Sequence, residues 1–211
     1  MKHIYAVICL IAILVGSSEG KEAPWKQKRN MVSAEERSAV LKEVRTNLKS
    51  ISTLEEWPGG KQALNDLILN HPFHDLGWFV CGELRKYAQS SRCTKEKKIE
   101  IVEFLTDKMA RGSSSLRQAL KPWLLTFKKP DFNEDAKEII AQHLGSFPSR
   151  KTILLAGLAE VESVYPKINS YASEELKEPG VGMYYGTKVW ASLLVTARHG
   201  NKDSIRRLLE A

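Results

Sequence analysis

The sequence has three cysteines among its 211 residues, too few for a small scaffold packed by disulfides. Its 13 glycines and 8 prolines follow no Gly-X-Y period, which excludes a collagen-like rod. No Asn-x-Ser/Thr sequon occurs, because every Asn fails at its third position. That fits a bacterial exported protein better than a eukaryotic secreted one. Beyond the N-terminus no stretch approaches the ~18 apolar residues of a membrane span. No segment sustains the apolar–polar alternation of a half-buried strand, so no sheet is expected. What is present is ordinary globular composition, 43% hydrophobic and 27% charged, which excludes a wholly disordered chain. Lys and Arg number 32 against 25 for Asp and Glu, a net charge of +7.

The first residues read as an export signal. Lys2 precedes an apolar run from Ile4 to Val15, broken by Gly16, and Ser18 and Gly20 supply small residues at −3 and −1 for cleavage before Lys21. Twelve helical residues extend roughly 18 Å, short of the ~30 Å hydrocarbon core, so a permanent anchor is disfavoured. Lys21, Lys26, Lys28 and Arg29 follow directly and oppose translocation under the positive-inside bias. Cys9 has no small residues before it and is not a lipid attachment site. The expected organisation is a signal peptide at 1–20, a basic flexible linker at 21–32, and one all-helical domain at 33–211 with roughly ten helices. The expected location is periplasmic or secreted.

After cleavage only Cys81 and Cys93 remain. Twelve residues apart and flanking a turn, they are expected to pair in an oxidising compartment, for roughly 2–3 kcal/mol in the chain-entropy picture. The alternative is two reduced, buried thiols.

Helical periodicity starts at Ser33, which with Glu36 forms a capping box. Val40, Val44, Leu48 and Ile51 follow on one face. Trp57-Pro58-Gly59-Gly60 turns the chain into Leu64, Leu67 and Ile68, and His71-Pro72 ends that helix. Leu76, Phe79, Val80, Leu84 and Tyr87 make the clearest stripe. Thr94 caps a segment striped by Ile99, Val102, Leu105 and Met109. Pro122, inside the Leu116–Phe127 pattern, predicts a kink or a restart. Asp131 or Asn133 opens the helix of Ile139, Ile140 and Leu144, and Pro148-Ser149 opens that of Leu154, Leu155, Leu158 and Val161. A short helix from Pro166 leads to a glycine-rich loop ending at Gly186. Val189, Trp190, Leu193, Leu194 and Ala197 form the next stripe, and Ile205, Leu208 and Leu209 the last. The architecture is all-α, either a compact helical bundle or an α-solenoid of short antiparallel helix pairs.

The stretch Thr196–Ala211, with its Gly200-Asn201 turn and Ile205-x-x-Leu208-Leu209 helix, resembles the second half of a HEAT-like or ankyrin-like helical repeat. No Thr-Pro-Leu-His follows Gly186-Thr187, which departs from ankyrin. Trp78-Phe79-Val80 and Trp123-Leu124-Leu125 stand 45 residues apart, within the ~40–47 period of HEAT-like units. The resemblance implies a binding scaffold rather than a catalyst.

Candidate chemistry is sparse. His71, His74 and Asp75, with Cys81 beyond, contain metal-ligating types, but Pro72 separates the histidines across a helix break; helix-end roles fit better and no metal is expected. Gly180-Val181-Gly182-Met183-Tyr184-Tyr185-Gly186-Thr187-Lys188 lacks the strand and the Gly-Lys junction of a phosphate loop. Tyr184 and Tyr185 are instead candidates for partner contact. The glutamate pairs Glu35-Glu36, Glu55-Glu56, Glu160/Glu162 and Glu174-Glu175 do not suggest two carboxylates facing across a cleft. The basic clusters at Lys26–Arg29 and Lys95–Lys98 lack a stacking surface, so no nucleic acid is expected, while weak contact with an anionic envelope surface is. No cofactor is expected. The functional expectation is an exported protein–protein interaction module, in its most specific form an immunity or inhibitor protein. The alternative is a cell-envelope enzyme, or its accessory, on an all-α fold.

Overall fold

The computed structural model describes residues 33–70, 74–174 and 183–210, and for 74–75 and 183–187 the backbone alone. The expected signal peptide and linker lie outside these residues, as does His71. All described residues fall within one unit of the chain, Met31–Ala211.

Ten α-helices occur among them: α1 (Ala34–Ser50), α2 (Gly60–Leu69), α3 (His74–Ala88), α4 (Lys95–Arg111), α5 (Ser114–Leu124), α6 (Glu134–Ser146), α7 (Arg150–Ala159), α8 (Tyr165–Ala172), α9 (Met183–Arg198) and α10 (Lys202–Leu209). No strand is present among the described residues, and the all-α expectation holds. The sequence signals for helix starts act as capping chemistry predicts. Ser33, Thr94, Ser113, Asn133, Ser149 and Asn201 each accept a backbone N–H of the first turn. Ser33 and Glu36 complete the capping box. Gly59 (φ +84°) and Gly60 (φ +76°) adopt left-handed backbone in the turn before α2, where a side chain would be strained.

Extensive helix packing joins helices adjacent in the chain or next but one. The odd-numbered helices stack α1 on α3, α3 on α5, α5 on α7 and α7 on α9, while the even-numbered helices cover them. Helix α4 packs against α3, α5 and α6, so Ile101, Val102, Phe104, Leu105, Thr106 and Met109 are buried together with Lys97 and Lys108. The amphipathic stripe read from Ile99 is therefore only one side of a helix enclosed nearly all round.

Each buried lysine on α4 is satisfied. Lys97 Nζ donates to the carbonyls of Leu48 (2.5 Å) and Ile51 (2.6 Å), closing the C-terminus of α1, and lies 4.8 Å from the Tyr87 ring. One turn on, Glu100 accepts the Leu54 N–H at 2.8 Å. Lys108 Nζ meets Asn65 Oδ1 and Asp107, the latter at 2.7 Å. The polar residues of α4 thus fix the path of the α1–α2 connection from inside the fold.

Close backbone approach explains two glycines. A Cβ on Gly77 would stand 2.2 Å from the Ile68 carbonyl oxygen, so α2 and α3 touch there. A Cβ on Gly157 would stand 2.5 Å from Val195 Cγ2, which sets the α7–α9 contact.

Four expectations need correction. Cys81 and Cys93 are free thiols, Cys81 buried and Cys93 half-buried. Cys81 lies on the core face of α3, seven residues before that helix ends, and Cys93 follows it in the turn. Cys81 is enclosed in the core from within α3, whereas Cys93 sits five residues past the end of that helix and is only half-buried, so the two thiols occupy different environments. Of the two outcomes expected at Pro122, a kink or a restart, the restart does not occur: helix α5 runs through Pro122 and stops two residues later, with Pro122 on the exposed side. Helix α9 begins at Met183, so Tyr184 and Tyr185 sit on its first turn rather than in a loop. Trp190 and Leu194 face outward at 38% and 48% exposure, although their spacing matches that of their buried neighbours Val189 and Leu193.

Candidate interaction surface

Helices α3 and α5 are neighbours in the odd-numbered layer, and their outer faces bring three aromatic side chains together. Trp78 is 43% exposed. Its ring lies 5.7 Å from Trp123, tilted by 38°, and 4.9 Å from Phe79 in an edge-on arrangement. Gly82 lies beneath the Trp123 ring, where a Cβ would stand at an ordinary contact distance of 3.6 Å. Cations cover the outer rings. The Arg85 guanidinium sits 5.6 Å from the Trp123 centroid, and Arg37, reaching from α1, sits 4.6 Å from Phe79. Gln89 Nε2 donates to Thr126 Oγ1 at 2.6 Å, tying the two helices at their far ends.

The two tryptophans set 45 residues apart in the sequence therefore stack on one another. Helical spacing places Phe79 but not Trp78 on the α3 stripe, and it takes the neighbouring helix to show what Trp78 meets at the surface. Arg37 and Arg85 have no sequence signal of their own.

Beside this patch runs a shallow groove of about 260 Å³ lined by Arg45, Leu48, Glu83, Lys86 and Tyr87. Arg45 grips the Glu83 carboxylate through Nε at 2.6 Å and Nη2 at 3.0 Å, and Lys86 adds a contact at 3.0 Å. The hydrogen bond from Arg45 holds the Glu83 carboxyl below its usual range, against the opposing effect of burial.

Two other places collect polar groups. Tyr165 Oη and His199 Nε2 are 2.7 Å apart at the edge of a cavity of about 350 Å³ shared with Asn169, Thr196 and Asn201. Burial, then the charges of Glu160 and Glu162, push the Tyr165 phenol up, so it stays protonated and can donate to the imidazole. No hydrogen bond among the described residues extends this pair into a relay. A wider groove of about 540 Å³ carries Glu134, Glu138, Glu160 and Glu162, of which Glu134 pairs with Lys137 and Glu160 with Lys129. No group of three metal-ligating side chains occurs among the described residues.

The residues proposed from sequence are not brought together. Cys81 is in the core and Cys93 in the turn before α4. The side chains of Tyr184, Tyr185, His74 and Asp75 lie outside the described residues. No helix among the described residues is long and apolar enough to cross a membrane. The chain matches no family model, curated protein or solved structure.

Proposed function

We propose that this protein is an exported interaction module, built as a HEAT-like array of helix pairs, that binds a partner protein through the Trp78–Trp123 surface. The observation that supports this reading is an exposed indole held in place on both sides before any partner arrives. Interface energy concentrates in Trp, Tyr and Arg side chains, and ordering them in advance reduces what association must immobilise. The net charge of +7 and the cations over the rings favour a partner with acidic as well as apolar groups. The array reading is supported by the succession of packings along the odd-numbered helices, since stacked repeats expose one helix layer as an extended surface. Export rests on Lys2, the Ile4–Val15 run and the small residues Ser18 and Gly20. An immunity or inhibitor protein, covering the active site of a toxin in the same compartment, is the specific form of this function. A cell-envelope enzyme is the second reading, supported by the Tyr165–His199 pair.

Affinity capture of the tagged protein from its host's exported fraction, with mild crosslinking and mass spectrometry, tests the first reading. One stoichiometric protein partner is expected, with affinity reduced at least about thirtyfold by Trp78→Ala and strongly by Arg85→Glu. A partner indifferent to both substitutions overturns the assignment of the surface. Turnover abolished by His199→Ala, with partner binding intact, would favour the enzyme.

A further inference from the structure

The junction of α5, α6 and α7 gathers positive charge without a counter-charge. Arg117 and Lys121, one turn apart, point from α5 toward the start of α7. Lys121 Nζ donates to Ser149 Oγ at 3.4 Å, and Ser149 Oγ is 2.8 Å from Thr152 Oγ1. The neighbours that act on Lys121 are Arg117 and Lys151, both cations, and they add to burial in pushing its ammonium down. No carboxylate among the described residues forms an ion pair with Arg117, Lys121 or Lys151. Like charges held together at this cost are the usual signature of a missing anion.

His143 supplies a second, independent observation. It is only 6% exposed, and its Nε2 has no hydrogen-bond partner. It lies against Phe147, at 5.5 Å between ring centres, and the Arg117 guanidinium covers the same Phe147 ring at 5.5 Å. Arg117 Nε is likewise buried and without a partner. Buried polar atoms in native proteins are almost always satisfied; Arg117 Nε–H calls for an acceptor, and so does His143 Nε2 in the tautomer that carries its proton there. The start of α7 adds the Arg150 and Lys151 amides, which have no acceptor within the helix, at the positive end of its dipole.

We propose that this junction binds a tetrahedral oxyanion of the phosphate type, held by Arg117, Lys121 and Lys151, by His143 Nε2–H, and by the first amides of α7. A phosphoryl group suits this donor set, because its oxygens can accept from three directions at once. The site is separate from the Trp78 surface and does not depend on it. The same chemistry is offered by soluble phosphate compounds and by phospholipid headgroups.

The test is a titration of the purified full chain with inorganic phosphate at constant ionic strength, followed by ¹H–¹⁵N NMR. Saturable shifts are expected at Arg117 Nε–H, the His143 ring nitrogens and the Lys151 and Thr152 amides. The Lys121→Gln/Lys151→Gln double variant should weaken binding at least about tenfold while keeping the wild-type helical CD spectrum. Both lysines reach solvent, so that variant is expected to fold. As a check that needs no variant, phosphate should raise the Tm of the wild-type protein where chloride of equal ionic strength does not. Sedimentation with phosphatidylcholine vesicles containing one-quarter phosphatidylglycerol separates the sources. Vesicle binding lost in the double variant identifies a headgroup, whereas phosphate binding without vesicle binding identifies a soluble phosphate compound. Shifts spread over all basic residues, or unchanged by the double substitution, overturn the proposal.

Discussion

The two ends of the helical region are held together by different means. From Leu41 on α1 to Val195 on α9 runs one continuous apolar core, with Leu48, Leu64, Leu84, Leu105, Leu124, Ile140 and Ile153 fully enclosed. Beyond it lies a second, smaller cluster, which among the described residues comprises Ala172, Val189 and Leu193, with Leu208 against it. At this end polar ties replace apolar area. Arg207 donates to the carbonyls of Ala172 and Glu174, Thr196 Oγ1 to Ser204 Oγ at 2.6 Å, and Tyr165 meets His199. Helix α10 leaves Ile205 and Leu209 exposed at 42% and 82%. Hydrophobic burial scales with area removed from water, whereas a single hydrogen bond contributes about 1 kcal/mol net. The C-terminal helices are therefore expected to open separately, well below the free energy of global unfolding.

The largest effect should follow from breaking the main core. Leu105→Ala should cost about 3–4 kcal/mol, read as a lower denaturation midpoint of the whole helical signal. If only part of the helical signal responds, the core is not one cooperative unit. Next comes His143, held neutral because burial, then Lys121 and Arg117, push its ionisation down to about 4. Unfolding releases it to bind a proton with its ordinary value near 6.5. Stability is thus full above about pH 6.5 and should fall by about 2–3 kcal/mol as pH descends toward 4. Denaturation midpoints across that range, compared with His143→Gln, isolate this contribution; equal pH dependence in both proteins would refute it.

The junction between the two regions can be probed at Gly157. Gly157→Ala drives a methyl group into Val195 and should cost about 1–3 kcal/mol, with much of the loss recovered when Val195→Ala is added. The absence of recovery in that double-mutant cycle would mean that the two helices separate rather than collide. The smallest effect belongs to the polar ties. Ser204→Ala should cost about 1 kcal/mol, visible as faster amide exchange confined to α9 and α10. Exchange accelerated throughout the chain would erase the distinction between the regions.

The parts legible in the sequence were those set by local chemistry. Ser33, Thr94, Asn133 and Ser149 announce helix starts because their side chains bind amides three residues away. The stripes of α1, α2 and α3 announce buried faces because each of these helices has one side against the core. Periodicity fails where a helix is enclosed, as in α4, whose Lys97 and Lys108 read as surface residues but bind carbonyl and amide groups inside. It fails again in α9, where Val189 and Trp190 are equally apolar, and only the position of α7 and α8 decides which turns inward. The bridge expected between Cys81 and Cys93 rested on separation along the chain, whereas folding encloses Cys81 in the core and leaves Cys93 in the turn before α4. The Trp78 surface was not legible: the 45-residue spacing marks the tryptophans as repeat positions without predicting that they meet, and the arginines over the rings come from places no motif connects. The junction around His143 draws on three helices and left no pattern in any one of them.

The depth of Cys81 gives the protein a built-in timer. Burial pushes its thiol up to about 12, so in the folded protein the reactive thiolate is suppressed at neutral pH. Cys93, half-buried, is open to reagents while the fold is intact. A thiol-specific dye should accordingly label residues 21–211 in two phases. The fast phase reports the turn before α4, and the slow one advances only as often as the main core opens. The ratio of the two rates would track the lifetime of the folded state, with no tag added and no residue changed.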